Sequence, residues 1–142
     1  MPEKLEEYPL GKFLSRTYLS FRKRATRLIA EYDVTPEQYA ILNELSKADS
    51  ISQKKLAEIL VRDQTTVGKI VDKLMRKELV TRTVDPEDRR AVQLYLTDKG
   101  RQLHDELFPL MIGYQKEITA GITQEELAVF YKVFNRIYEQ VK

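Results

Sequence analysis

The sequence predicts a mainly α-helical protein with one small β-hairpin. Two observations carry this. Apolar residues recur at three- and four-residue steps over most of the 142 positions, the spacing that lines up one face of a helix. In one stretch the period drops to two: Val80-Thr81-Arg82-Thr83-Val84 alternates, and so does Ala91-Val92-Gln93-Leu94-Tyr95-Leu96. The five Gly and five Pro sit mostly where helices should begin or end.

The first helix is expected over residues 10 to about 32. Leu10, Leu14, Thr17, Tyr18, Phe21, Ala25, Leu28, Ile29 and Tyr32 form its apolar stripe, which is longer than one small partner needs. Thr35-Pro36-Glu37-Gln38 reads as a capping box with Pro at the first helical position, so a second helix follows, with Tyr39, Ile41, Leu42 and Leu45 inward. Ser52 caps a short third helix whose Leu56, Ala57, Ile59 and Leu60 face inward. A fourth starts near Asp63 and ends around Arg76-Lys77-Glu78, with Val67, Ile70, Val71 and Leu74 in one stripe. The hairpin follows, its strands joined by the polar tip Asp85-Pro86-Glu87-Asp88-Arg89-Arg90. Thr97 caps the next helix, in which Pro109 predicts a kink rather than a stop, and Gly121 reads as its breaker. Thr123-Gln124-Glu125-Glu126 is another capping box. Beyond it Leu127, Phe130, Tyr131, Phe134, Ile137, Tyr138 and Val141 repeat on a seven-residue spacing, like a helix–helix seam.

Composition excludes several functions. Cysteine is absent, which removes disulfides, thiol catalysis, thiol redox sensing and cysteine-ligated zinc. The single histidine, His104, rules out histidine-cluster metal sites and is expected at a surface or dimer face. There is no glycine-rich phosphate loop, nucleophile elbow or metal-ligand spacing, so no enzyme is expected and no cofactor. No apolar run approaches the length of a membrane span, and Met1 to Glu7 is too acidic for a signal peptide. A cytoplasmic location is the expectation.

The central order of helices and hairpin is that of a helix-turn-helix followed by a wing. Charge supports this reading. The chain as a whole has a formal charge of +2, but Ile51 to Arg101 holds twelve basic and eight acidic residues, and the remainder is acidic on balance. Positive charge is thus gathered on the segment that would face phosphates. On the fourth helix the face opposite the apolar stripe carries Thr65, Lys69, Asp72 and Arg76, flanked by Arg62, Gln64, Thr66 and Lys73. Arg62, Gln64, Thr65, Thr66, Lys69, Lys73 and Arg76 are the candidate DNA contacts there, since hydroxyls, amides and cations can reach base edges or phosphates. Gly68 removes a side chain where DNA or another helix must come close. At the wing tip Asp88, Arg89 and Arg90 complete the set, with a guanidinium suited to a narrow minor groove.

Several stretches together resemble the multiple-antibiotic-resistance regulator (MarR) family. They are Thr65-Thr66-Val67 through Asp72-Lys73-Leu74, Leu79-Val80, Asp85-Pro86-Glu87-Asp88-Arg89-Arg90-Ala91 and Leu96-Thr97-Asp98-Lys99-Gly100. The resemblance implies a winged helix-turn-helix at residues 35–97, flanked by dimerisation helices at 1–34 and 98–142, all in one compact unit. It implies a homodimeric repressor on a palindromic operator, with its two recognition helices about one DNA turn, roughly 34 Å, apart. It also implies a small aromatic or phenolic effector between dimerisation helices and winged helix. Tyr18 and Arg22 are one turn apart and could supply an apolar wall and a cation, with Tyr32 and Tyr39 as further candidates. The chain departs from the family where Glu78 stands in place of the usual Gly, so Glu78 either adopts a left-handed backbone or ends the helix differently. Two alternatives stay open: a winged-helix protein–protein adaptor, and a DNA-binding regulator without small-molecule control.

Overall fold

The structure is a computed structural model that describes residues 7, 9–84, 87 and 91–142. Helix α1 (Leu10–Ile29) ends in a 3-10 turn, Ala30–Tyr32, so the last turn of the predicted helix is wound more tightly. Then follow α2 (Pro36–Ser46), β1 (Ile51–Ser52), α3 (Gln53–Leu60), α4 (Gln64–Arg76), β2 (Val80–Val84), β3 (Val92–Leu96), α5 (Asp98–Ile118) and α6 (Gln124–Val141).

The caps form through the residues that signalled them. Thr35 Oγ1 accepts from Gln38 N at 3.1 Å, and Gln38 Oε1 accepts from Thr35 N at 3.2 Å. Ser52, Asp63, Thr97 and Thr123 likewise take a backbone N–H three residues on. Helix α5 continues through Pro109 without stopping.

Strands β2 and β3 pair antiparallel from Val80↔Leu96 to Val84↔Val92. A third strand, β1, joins the free side of β3 through Ile51↔Leu94 and Ser52↔Gln93, giving the order β1-β3-β2. Two residues are too few to show alternation, which is why the sequence does not announce this strand.

Packing divides the chain into two compact units, one ending at Leu110 and the other spanning Met111–Lys142. In the first, Ile29, Ile41, Leu42, Leu45, Leu56, Val67, Val71, Leu74, Val80, Leu94 and Leu107 are fully enclosed. They come from every element of that unit except the two-residue β1, so one core fixes helices and sheet together. Ile59 is a correction: it is 39% exposed, because α3 is short and turns only Leu56 and Ala57 fully inward. Most of the α1 stripe is also open, with Leu10, Tyr18, Phe21 and Leu28 exposed and only Ala25 and Ile29 buried. The second unit holds the end of α5 and all of α6. Helix α6 has no buried residue, and its Phe130 and Phe134 rings lie 4.5 Å apart on an open surface.

Candidate nucleic-acid interface

The site is built on α4. Its N-cap is Asp63, whose carboxylate accepts from Thr66 N at 2.7 Å and from Thr66 Oγ1 at 2.8 Å. Thr66 therefore spends its hydroxyl proton on the cap and keeps only lone pairs for a further partner. Val67, Val71 and Leu74 are buried, and the opposite side is open: Arg62, Gln64, Thr65, Thr66, Lys69, Asp72, Lys73 and Arg76 are all exposed. One helix thus has a face locked into the core and a face of hydroxyls and cations held out to solvent. Asp88, Arg89 and Arg90, at the wing tip, lie outside the described residues.

The turn between α3 and α4 fixes where that open face points. Val61 sits in the left-handed region at φ 53°, so Arg62 N donates back to Ala57 O at 3.0 Å and Val61 N to Glu58 O at 3.2 Å. At the crossing of the two helices, Gln53 Nε2 lies 3.1 Å from where a Cβ on residue 68 would stand. The neighbour closest to Gly68 is therefore the Gln53 side chain of α3.

The other end of α4 is tied down from two sides. Glu78 takes the left-handed conformation at φ 62°, with Leu79 N on Leu74 O at 3.0 Å and Glu78 N on Met75 O at 2.9 Å. This is the Schellman geometry usually built on glycine. Lys77 Nζ donates to Asp33 O and to Gln38 Oε1, while Lys99 Nζ donates to Lys77 O at 3.0 Å and Thr97 Oγ1 to Glu78 O at 2.7 Å. These ties, which hold α4 to the start of α2 and of α5, depend on tertiary contacts and have no signature in sequence.

The candidate effector residues have different surroundings. Arg22 makes a two-pronged ion pair with Glu37, Nε to Oε1 at 2.6 Å and Nη2 to Oε2 at 3.0 Å. The guanidinium holds the Glu37 carboxyl below its usual range, and Tyr18 stands near that guanidinium. Tyr32 lines a groove of about 420 Å³ with Asp33, Lys77, Leu79, Lys99 and Glu106. Tyr39 is buried, stacked on His104 with ring centres 6.0 Å apart. His104 corrects another expectation: it is not at the surface but 8% exposed, with Nε2 2.9 Å from Asn43 Oδ1. Burial pushes its imidazole below the usual histidine range, against the pull of the Asp105 carboxylate.

A helix-turn-helix, a three-stranded sheet ending in a hairpin, and an open cationic helix face are now in place. Residues 34–92 match the family model described as MarR family. That segment, the helix-turn-helix and most of the hairpin, resembles the MarR family. It is 25% identical over 133 residues to the HTH-type transcriptional regulator YsmB of Bacillus subtilis, covering 94% of this chain and 91% of that one. The structure of the PcaV transcriptional regulator from Streptomyces coelicolor, in complex with its natural ligand, superposes with a TM-score of 0.85 at 25% identity over the full length of both chains. The MepR–DNA complex of Staphylococcus aureus shares the fold at a TM-score of 0.88 and 22% identity, over 93% of this chain and 98% of that one. The chain shares the winged-helix fold of these transcriptional regulators. Among the described residues no helix is long and apolar enough to cross a membrane.

Proposed function

We propose that the chain is a cytoplasmic repressor that binds a palindromic duplex operator as a homodimer and releases it when a small aromatic or phenolic effector binds. The observation that carries the DNA-binding reading is the division of α4. Val67, Val71 and Leu74 are sealed in the core while Thr65, Lys69, Lys73 and Arg76 stand open beside one another. In this reading Lys73 and Arg76, in the last turn, meet phosphates, and Arg62, Gln64, Thr65 and Lys69, nearer the start, meet base edges. Arg90, supported by Asp88, enters the minor groove in this reading, and Arg89 meets a phosphate.

The dimer reading is supported by α1 and α6, which leave Leu19, Val129, Phe130 and Tyr138 uncovered, more apolar surface than helices exposed on a monomer carry. The effector reading is supported by the ligand-bound relative PcaV and by the Arg22 cation beside Tyr18. Of the four candidate residues, Tyr18 and Arg22 suit a carboxylate or phenolate, provided Glu37 yields its place.

Selection of bound duplexes from a random DNA pool, with and without benzoate and 4-hydroxybenzoate, tests the reading. An inverted repeat recovered by the wild type, and a relaxed preference at defined base pairs for Lys69→Ala, are the expected results. Failure to retain any duplex would leave the adaptor reading, and a pool unchanged by either compound would leave a regulator without such control.

A further inference from the structure

Along the open face of α4, Asp72 stands three residues after Lys69 and four before Arg76. A carboxylate there opposes every phosphate that approaches. It is also within helical reach of both cations, since residues three and four apart are neighbours on a helix surface. Yet its partner is neither of them. Arg82 Nη2 donates to Asp72 Oδ1 at 3.0 Å. Arg82 comes from β2, on the same side of the strand as the buried Val80, so its guanidinium rises from beneath the helix. The Arg82 side chain is 30% exposed and that of Asp72 53%, so the cation is sheltered and the acid lies at the surface. Arg82 Nε is enclosed with no hydrogen-bond partner among the described residues. The contact with Asp72 therefore gives the guanidinium its aim.

We propose that Arg82 is a positioning residue for DNA reading: by engaging Asp72 from the wing strand it cancels the acid's charge and leaves Lys69 and Arg76 available to DNA. This rests on the DNA-binding reading above. Without Arg82, the Asp72 carboxylate turns to Lys69 or Arg76 and withdraws a cation from the interface. Neutralising Asp72 removes the need for Arg82.

The test uses the tightest duplex selected by the wild-type protein, titrated by fluorescence polarisation at two salt concentrations with Arg82→Ala, Asp72→Asn and the double variant. Arg82→Ala is expected to bind about tenfold more weakly at low salt, with the deficit shrinking as salt rises. Asp72→Asn is expected to bind at least as tightly as wild type, and the double variant to recover to within about threefold of it. Lost packing would instead give a salt-independent deficit that Asp72→Asn does not repair. Weaker binding by Asp72→Asn alone, a double variant as weak as Arg82→Ala, or an Arg82→Ala protein that binds normally would each overturn the inference. If Arg82→Ala does not fold, the Asp72→Asn result decides by itself. A wild-type protein that selects no duplex overturns the DNA-binding reading, and this inference with it.

Discussion

The carbonyl oxygen of Leu79 occupies the space that a side chain on residue 100 would need: a Cβ built on Gly100 would lie 2.1 Å from it and 3.0 Å from the Leu79 carbonyl carbon. The same carbonyl accepts from Thr97 N at 3.1 Å, so the start of α5 is pressed onto the chain just after α4. Backbone cannot step aside as a flexible side chain can. Gly100→Ala is therefore expected to destabilise the protein by about 3 kcal/mol, even though alanine is the better helix former by about 1 kcal/mol. Urea unfolding followed by circular dichroism measures this, and a variant as stable as wild type would show that the α5 start is not seated as described.

Two left-handed residues carry the opposite expectation. Val61 and Glu78 hold positive φ without being glycine, and neither is buried. Such a backbone costs an ordinary residue about 1–2 kcal/mol, and a β-branched one is the worst placed to bear it. Glu78→Gly and Val61→Gly should each raise stability, by about 0.5–1 kcal/mol after the greater entropy of the unfolded glycine chain is subtracted, with Val61→Gly the larger. A fall in the urea midpoint for either would contradict the strain argument.

Much of this architecture was legible in the sequence because it is local. Thr35, Ser52, Asp63, Thr97 and Thr123 announce their helices through caps that need only a few neighbouring residues. The departure at Glu78 could be stated as two options, and the backbone took the left-handed one. What depended on distant partners was less visible. His104 looked like a surface residue until α2 supplied Asn43 and Tyr39 to enclose it. Arg22 was legible as a candidate cation for an effector, but not its ion pair with Glu37 in the first turn of α2. Arg82 did leave a trace, since alternation with Val80 places it on the helix side of its strand, but nothing in the alternation names Asp72 as its partner.

Burial of His104 makes stability depend on pH. Its folded pKa lies below the ordinary 6.5, chiefly because burial penalises the imidazolium, with Arg101 adding a little. The unfolded chain therefore binds the proton more readily, and stability rises with pH through that range. The stabilisation is complete above about pH 6.5 and falls as pH drops toward the lower folded value. Glu37, held down by Arg22, has the same sign at lower pH: its contribution is present above the ordinary glutamate range and lost as pH falls through the folded value. Urea midpoints for His104→Gln should lose the slope between about pH 7 and 5 and keep the one below about pH 4.5. An unchanged slope near pH 6 would mean that His104 does not stay neutral in the fold.

The Arg22–Glu37 pair also sets the terms for an effector. A carboxylate ligand can meet the guanidinium only by displacing Glu37, which holds both prongs. Glu37→Gln weakens that internal competitor while keeping its shape. Both groups are roughly a third exposed, so stability should fall by no more than about 1 kcal/mol. Affinity for benzoate, measured by calorimetry, should rise, whereas an affinity that falls or stays the same would remove Arg22 from the effector site.

The last prediction concerns α6. In the isolated chain the helix has no buried residue, and Phe134 is 41% exposed beside Phe130. Its apolar residues nonetheless recur at seven-residue steps, Leu127 to Phe134 to Val141 and Phe130 to Ile137, a pattern that wants a facing helix. On a monomer Phe134→Glu would replace an exposed ring with a charge and cost almost nothing. In a dimer seam it would bury a carboxylate without a partner, a penalty of about 3–5 kcal/mol in each protomer. Symmetry applies that penalty twice at one interface, so dissociation or loss of the fold is the expected result. Sedimentation equilibrium at micromolar concentration, with circular dichroism as the control for folding, separates the cases. Operator affinity should collapse with the dimer, because two half-sites one helical turn apart must be held together by the protein that reads them. A Phe134→Glu protein that sediments like the wild type and retains its operator would place the seam elsewhere than on α6.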